Sequence, residues 1–155
     1  MASKASATLA ILDEEGKPFF NADYRFVPGK DETIREGQDG TIVSYGEMLY
    51  RCLDAVDRLR SEGIRVALIN KPTLNVVDET MMEKLGDSPF VLVVESQNIK
   101  SGLGARFGTW LLERGFKARY AHMGVFREGH GGLEEQIPYQ RLGNEDIREK
   151  IMSMR

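Results

Sequence analysis

The sequence predicts an α/β domain in which a mainly parallel β-sheet lies between two layers of helices. Short segments rich in apolar residues alternate along the chain with segments of helical periodicity. Residues 89–95, PFVLVVE, are almost entirely apolar, as expected for a strand that helices cover on both faces. Gly63, Pro72 and Gly115 separate neighbouring segments. Because strands that alternate with helices are joined by crossover connections, we expect mostly parallel neighbours in the sheet.

Hydrophobic spacing and capping signals predict the individual elements. Strands are assigned to apolar or alternating segments, and helices to segments whose apolar residues recur at spacings of three and four. Gly63 and Gly115 end two helices, while Asp78 and Asn144 are N-caps of two others. In chain order we predict a polar edge strand at 31–36, a strand at 41–46, a helix at 47–62, a strand at 64–70, a short helix at 78–86, a strand at 89–95, a helix at 104–114, a strand at 117–125 and a helix at 145–154.

Length and composition limit the class of protein. The 155 residues fit one compact domain, and 21 Lys and Arg against 24 Asp and Glu give a net charge of -3. This balance lacks the basic excess typical of nucleic-acid or membrane-surface binding. No apolar run reaches the roughly 18 residues of a membrane span, and the N-terminal apolar stretch is too short for a signal peptide. We expect a cytoplasmic protein with a tail or linker at 1–24 and a single domain at 25–155.

A glycine-rich segment, SQNIKSGLGARFG at residues 96–108, is the first candidate for a binding site. It follows the carboxyl end of a predicted strand, where open α/β sheets bind ligands. Its glycine spacing differs from the dinucleotide fingerprint, and no P-loop G-K-[ST] is present. In one interpretation Gly102 and Gly104 permit a positive-φ entry into the next helix, while Gly108 lets that helix lie close to the sheet. In the other, the exposed amides and Lys100 bind an anion.

A second glycine cluster, REGHGGLEEQ at residues 127–136, is predicted to be a loop that carries His130 among carboxylates. Such a histidine could perform acid and base chemistry, although a surface-loop role is the simpler interpretation. The two histidines and one cysteine lack metal-ligand spacing, and the single cysteine, Cys52, is predicted to be a buried structural thiol. The candidate anion, ligand or interdomain site comprises Glu95, Lys100, Ser101, Gly102, Gly104, Arg127 and His130.

Several motifs follow one another in an order that matches a known family. Residues 29–46, GKDETIREGQDGTIVSYG, contain an R-E-G turn and then a D-x-T-I-V-x-Y-G strand. Pro72 with Asp78 resembles a P-L-D segment, and residues 90–105, FVLVVESQNIKSGLGA, resemble a V-V-V-E strand with a G-G-x-G loop. In this order the motifs resemble the C-terminal domain of transketolase-like, thiamine diphosphate-dependent enzymes, over about residues 25–135.

The resemblance implies a three-layer α/β/α domain with a five-stranded, mostly parallel sheet and one antiparallel edge strand. In this family the N-terminal domain holds the diphosphate and Mg²⁺, and the middle domain holds the aminopyrimidine and its activating glutamate. The resemblance therefore implies no catalytic, cofactor-binding or metal-binding residue in this chain. Ser96 and Gln97 depart from the family pattern, in which a second acid or a histidine often follows the V-V-V-E strand. We therefore expect neither Ser96 nor Gln97 to take over a role of that acid or histidine.

The resemblance also implies a function for the chain within a larger enzyme. The parent reaction would be transfer of a two-carbon ketol unit between sugar phosphates, with thiamine diphosphate and Mg²⁺ bound by other domains. This chain would support a homodimer and the placement of the pyrimidine-binding and diphosphate-binding domains, without activity of its own. A stand-alone anion or nucleotide-binding module and a protein interaction domain remain as alternatives.

Overall fold

The computed structural model describes residues 10–129 and 133–155. Five strands and five helices are present in these ranges. In chain order they are β1 (Glu32–Arg35), β2 (Thr41–Ser44), α1 (Met48–Ser61), β3 (Ala67–Asn70), α2 (Glu79–Gly86), β4 (Phe90–Asn98), α3 (Leu103–Glu113), β5 (Arg119–Val125), α4 (Leu133–Tyr139) and α5 (Asn144–Met154).

The strands form one mixed sheet in the order β1-β3-β2-β4-β5. β1 runs antiparallel to β3 at one edge, whereas β3, β2, β4 and β5 pair in parallel. Helices α1 and α5 pack on one face of the sheet, and α2 and α3 pack on the other. The predicted three-layer architecture, with a five-stranded sheet and one antiparallel edge strand, is confirmed.

Strand β4 joins the two hydrophobic cores on either side of the sheet. Phe90, Leu92 and Val94 point into the core beneath α1 and α5, while Val91 and Val93 point into the core beneath α2 and α3. All five side chains are fully buried. Consecutive residues of a strand face opposite sides of the sheet, and here helices cover both sides. This two-sided burial explains the apolar run in the sequence.

Some element ends differ from the prediction. The strand predicted at 64–70 begins only at Ala67, because the carbonyl of Arg65 accepts the amides of Gln38 and Asp39 instead of pairing with a strand. The N-cap of α5 is Gly143 and not Asn144.

The predicted loop at 127–136 is also wrong in its second part. Residues from Leu133 onward form α4, which buried Ile137 attaches to the core. This segment contains few apolar residues and has Pro138 inside the helix, so its sequence shows no helical periodicity.

The segment before β1 lies against the domain where the structure describes it. Ile11 is buried in the core beneath α1 and α5, and its carbonyl accepts the amide of Phe19. Buried Arg35 donates to the carbonyl of Leu12 at 2.7 Å. A domain boundary at residue 24 remains a prediction. Within the described ranges, no helix is both long and apolar enough to cross a membrane.

Asp78 caps α2 and connects it to the segment that precedes β1. Its carboxylate accepts hydrogen bonds from the amides of Met81 and Asp31, and it pairs with Lys30 at 3.2 Å. Burial raises the pKa of Asp78, but the hydrogen bonds from Asp31, Lys30 and Met81 outweigh burial and hold the pKa below its ordinary value. The predicted capping role is confirmed.

We expect Asp78→Asn to lower the free energy of unfolding by about 1 kcal/mol at pH 7. The pKa of this carboxyl is lower in the folded state, so its charge stabilises the fold above the unfolded-state pKa of about 3.9. The stabilisation is lost as the pH falls through the folded-state pKa. Urea unfolding of both proteins between pH 7 and pH 2 measures this difference. A difference that does not shrink in acid would contradict the assignment.

Candidate functional site

The carboxylate of Glu95 is the centre of the hydrogen bonds at the carboxyl end of β4. The residue is fully buried. Its carboxylate accepts the amides of Leu103 and Gly104, in the first turn of α3, both at 2.8 Å. The hydroxyl of Tyr45, which follows β2, donates to the same carboxylate at 2.8 Å. Glu95 therefore lies at the positive end of the α3 dipole, where a negative charge is stabilised.

The amides of residues 101–104, which belong to the segment of the anion hypothesis, are all hydrogen-bonded inside the chain. The amides of Ser101 and Gly102 donate to the carbonyl of Asn98, and the next two donate to Glu95. A carboxylate of the protein itself thus occupies the position that an external anion would take at this helix N-terminus. Lys100 and Ser101 are exposed residues of this turn.

The glycines of this segment are required because a Cβ atom at these positions would collide with neighbouring side chains. Gly102 has a φ of -73°, and neither Gly102 nor Gly104 is among the glycines with positive φ, so the positive-φ interpretation is wrong. A Cβ atom on Gly102 would lie 2.4 Å from Oε1 of Glu95, and one on Gly104 would lie 2.4 Å from Nδ1 of His122. A Cβ on Gly108 would lie 2.7 Å from the Tyr120 ring, so the predicted close approach of this helix to the sheet is confirmed.

Two aromatic side chains complete the surroundings of Glu95. The hydroxyl of Tyr120 donates to the carbonyl of Gly104, and its ring stacks on His122 with centroids 6.0 Å apart. Burial, then the hydrogen bond to Glu95, raises the pKa of Tyr45. Nδ1 of His122 is buried without a hydrogen-bond partner in the described part of the chain. The three donors on Glu95 satisfy its carboxylate and hold β2, β4 and α3 together, whereas Nδ1 of His122 is unpaired among the described residues.

A second buried charge, Lys71, was not identified from the sequence. It follows β3, is fully buried, and donates to Asp31 at 2.9 Å and to the carbonyl of Val76 at 2.8 Å. Its Nζ also lies 5.7 Å from the centre of the Trp110 ring. Burial raises the pKa of Asp31 even though Lys71 lowers it. The only sequence signal was a lysine directly after an apolar run.

The remaining candidate residues are Arg127 and His130. Arg127 is exposed, and its guanidinium packs on the rings of Phe126 and Tyr139, 4.9 and 5.3 Å from their centres. The buried amide of Gln140 holds the backbone of Arg127 through hydrogen bonds in both directions. None of the contacts described for Arg127 is with Glu95. His130 lies outside the described residues.

The other predictions about site chemistry concern metals and the thiol. Among the residues that the structure describes, no group of three or more His, Cys, Asp or Glu side chains could hold a metal ion. Cys52 is fully buried, which confirms the predicted structural thiol, and burial raises its pKa to about 12. The buried charges at the carboxyl edge of the sheet, Glu95 and the Lys71–Asp31 pair, are therefore each satisfied by partners within the chain.

Comparison with known proteins identifies relatives for most of the chain. Residues 29–147 match the family described as "Transketolase, C-terminal domain". The chain is 31% identical over 111 residues to a subunit of the apulose-4-phosphate transketolase of Actinobacillus succinogenes, covering 71% of the chain and 36% of the relative. It is 30% identical over 130 residues to the "Putative transketolase C-terminal section" of Methanocaldococcus jannaschii, covering 82% and 40%. It is 35% identical over 125 residues to the "1-deoxy-D-xylulose-5-phosphate synthase" of Rhodopirellula baltica, covering 78% and 20%.

A solved structure shares the fold. The structure described as "Split gene transketolase, inactive beta4 tetramer" aligns with a TM-score of 0.80 at 24% identity, over 87% of this chain and 45% of that chain. The chain therefore spans less than half the length of these relatives.

Proposed function

Because this chain belongs to the family of transketolase C-terminal domains, we propose that it works as the third domain of a transketolase-like assembly and is catalytically silent alone. One observation carries the proposal. The family match covers residues 29–147 of the chain, and the alignments with the three curated relatives described above cover 71% or more of this chain but only 20% to 40% of the length of those relatives. The remainder of those relatives has no counterpart in the matched region. We propose that the domains in that remainder carry out catalysis.

The chemistry of the described residues supports a non-catalytic role. The amides at the N-terminus of α3 already hold Glu95, and Lys71 already pairs with Asp31. The described residues therefore do not fit thiamine diphosphate or Mg²⁺, since neither a free phosphate-binding turn nor a carboxylate cluster is present among them. We propose that both bind to the pyrimidine-binding and diphosphate-binding domains of the parent enzyme, in the cytoplasm. The parent reaction would be two-carbon ketol transfer between sugar phosphates.

The surface near the start of the domain is the one we expect to contact those domains. In a C-terminal domain the other domains connect before residue 29, where the family match begins. Phe26 and Val27 are each 52% exposed there, and Val76 is 43% exposed on the neighbouring segment. The amide of Gly29 joins the two segments through a hydrogen bond to Thr73. Exposed apolar side chains on adjacent segments are typical of interaction surfaces.

We expect the chain to co-purify with the cofactor-binding domains of its parent enzyme and to be required for ketol transfer. Val27→Asp should weaken this association at least about tenfold, because it puts a charge into an apolar contact. Leu112→Asp is the matched control, since Leu112 is an apolar residue that is 76% exposed on α3 and belongs to neither of the two segments that form this surface. Affinity purification and a coupled ketol-transfer assay measure both effects. Ketol transfer by the isolated chain, or full activity of the other domains without it, would contradict the proposal.

A further inference from the structure

Strand β5 has a free edge. It pairs in parallel with β4 on one side, and no strand of the described part of the chain pairs with its other side. Its seven residues, Arg119–Val125, contain no proline, and Arg119 at the first position is their only Lys, Arg, Asp or Glu. Edge strands of monomeric proteins are usually protected by such residues or by a covering segment. The edge of β5 is therefore suited to pair with another strand.

A groove of about 390 Å³ runs beside this edge, between β5 and α5. Met123 and Leu142 contribute apolar surface to it, and Asp146, Glu149 and Lys150 of α5 contribute charged side chains. Helices α1 and α5 cover β4 more fully than β5, whose residues Ala121, Met123 and Val125 are only partly buried. The groove thus exposes sheet surface that a further helix would cover in a complete α/β layer.

Along this side of α5 the two acidic side chains precede the basic one. Asp146 and Glu149 come first, and each accepts a hydrogen bond from Arg141 at 3.0 Å. Lys150 follows and has no ion pair within the described residues. If a second α5 approached in the opposite direction, the Lys150 of one helix would lie opposite Asp146 and Glu149 of the other. Such a surface is complementary to itself about a two-fold axis.

We propose that a second copy of this chain docks on this face, with the two β5 strands pairing antiparallel about a two-fold axis and the two α5 helices flanking the groove. In this arrangement three strand spacings separate β4 from its counterpart, which is about 14 Å. Because α5 packs over β4, the two helices would be too far apart for direct apolar packing, which needs about 8 to 10 Å. Long charged side chains such as Lys150 and Glu149 can bridge this distance. The pairing rests on the proposed function, since it assigns a surface to the dimer that the domain would support.

Analytical ultracentrifugation of the isolated chain tests the pairing without cofactor or other domains. We expect a dimer at about 100 μM chain, and a dissociation constant raised at least about tenfold in Lys150→Glu, which would place acids opposite acids. The double variant Glu149→Lys with Lys150→Glu exchanges the two charges and should restore most of the affinity. Arg106→Glu is the control, because it makes the same change of charge on exposed Arg106 of α3, on the opposite face of the sheet.

Amide hydrogen exchange provides a readout that a change of stability alone would not produce. We expect the β5 amides to exchange more slowly in the wild-type dimer than in the Lys150→Glu monomer, while the α2 amides exchange equally. A wild-type chain that stays monomeric would overturn the inference. So would a dimer that Lys150→Glu leaves intact, or one whose β5 amides are unprotected. The proposed function would survive each of these results, because its own test is association with the cofactor-binding domains.

Discussion

Replacing Glu95 with alanine is expected to lower the free energy of unfolding by about 3 to 5 kcal/mol. The substitution removes the carboxylate that accepts the amides of Leu103 and Gly104 and the hydroxyl of Tyr45. These two amides would be left buried without acceptors, and a cavity would form where the side chain was. Chemical denaturation monitored by circular dichroism measures the loss.

Two further variants make this test specific to the buried carboxylate. Glu95→Gln should cost about half as much, since its amide keeps one acceptor oxygen but turns an NH₂ group toward a donor. Glu113→Ala removes an exposed carboxylate near the end of α3 and should change stability by less than about 0.5 kcal/mol. A cost below about 1 kcal/mol for Glu95→Ala would mean that the α3 amides have other acceptors.

Replacing Lys71 with methionine should be similarly costly, by about 3 to 5 kcal/mol. Lys71 and Asp31 are almost completely buried, with 0% and 3% of their side chains exposed. Removing one member of a buried ion pair leaves the other charge in the protein interior without compensation, which is the main part of the cost. Thermal and urea unfolding at pH 7 measure the change.

The double variant Lys71→Met with Asp31→Leu should recover most of this loss. An apolar pair of similar volume avoids the desolvation cost that the two charges carry in the fold. A double-mutant cycle should therefore give a coupling of several kcal/mol between the two positions. Additive effects of the single substitutions would show that Lys71 is stabilised mainly by the Val76 carbonyl and the Trp110 ring.

The layered fold could be predicted because its signals are local. The apolar run of β4, the helical spacing of α1 and the capping carboxylate of Asp78 all lie within short segments. Helix α4 has too weak a periodic signal, because few apolar residues hold it to the core. The antiparallel direction of β1 followed only from the family resemblance, since strand direction depends on tertiary pairing.

The hydrogen bonds of the candidate site depend on contacts that the sequence does not show. Glu95 and Gly104 were both predicted to be site residues, but the sequence does not show that the carboxylate itself caps the helix that follows. The pairing of Lys71 with Asp31 joins residues 40 positions apart. The steric need for glycine at residue 104 arises from His122 on β5, which is distant in sequence, so the sequence could not distinguish it from a backbone requirement.

A calorimetric titration of thiamine diphosphate with Mg²⁺ into the isolated chain tests the proposed function most directly. We expect no saturable heat up to about millimolar cofactor, because the amides at the N-terminus of α3 are bonded to Glu95. The same titration into the chain assembled with its pyrimidine-binding and diphosphate-binding domains should show stoichiometric binding. Saturable binding to the isolated chain with a micromolar dissociation constant would contradict the proposal that this domain leaves the cofactor to its partners.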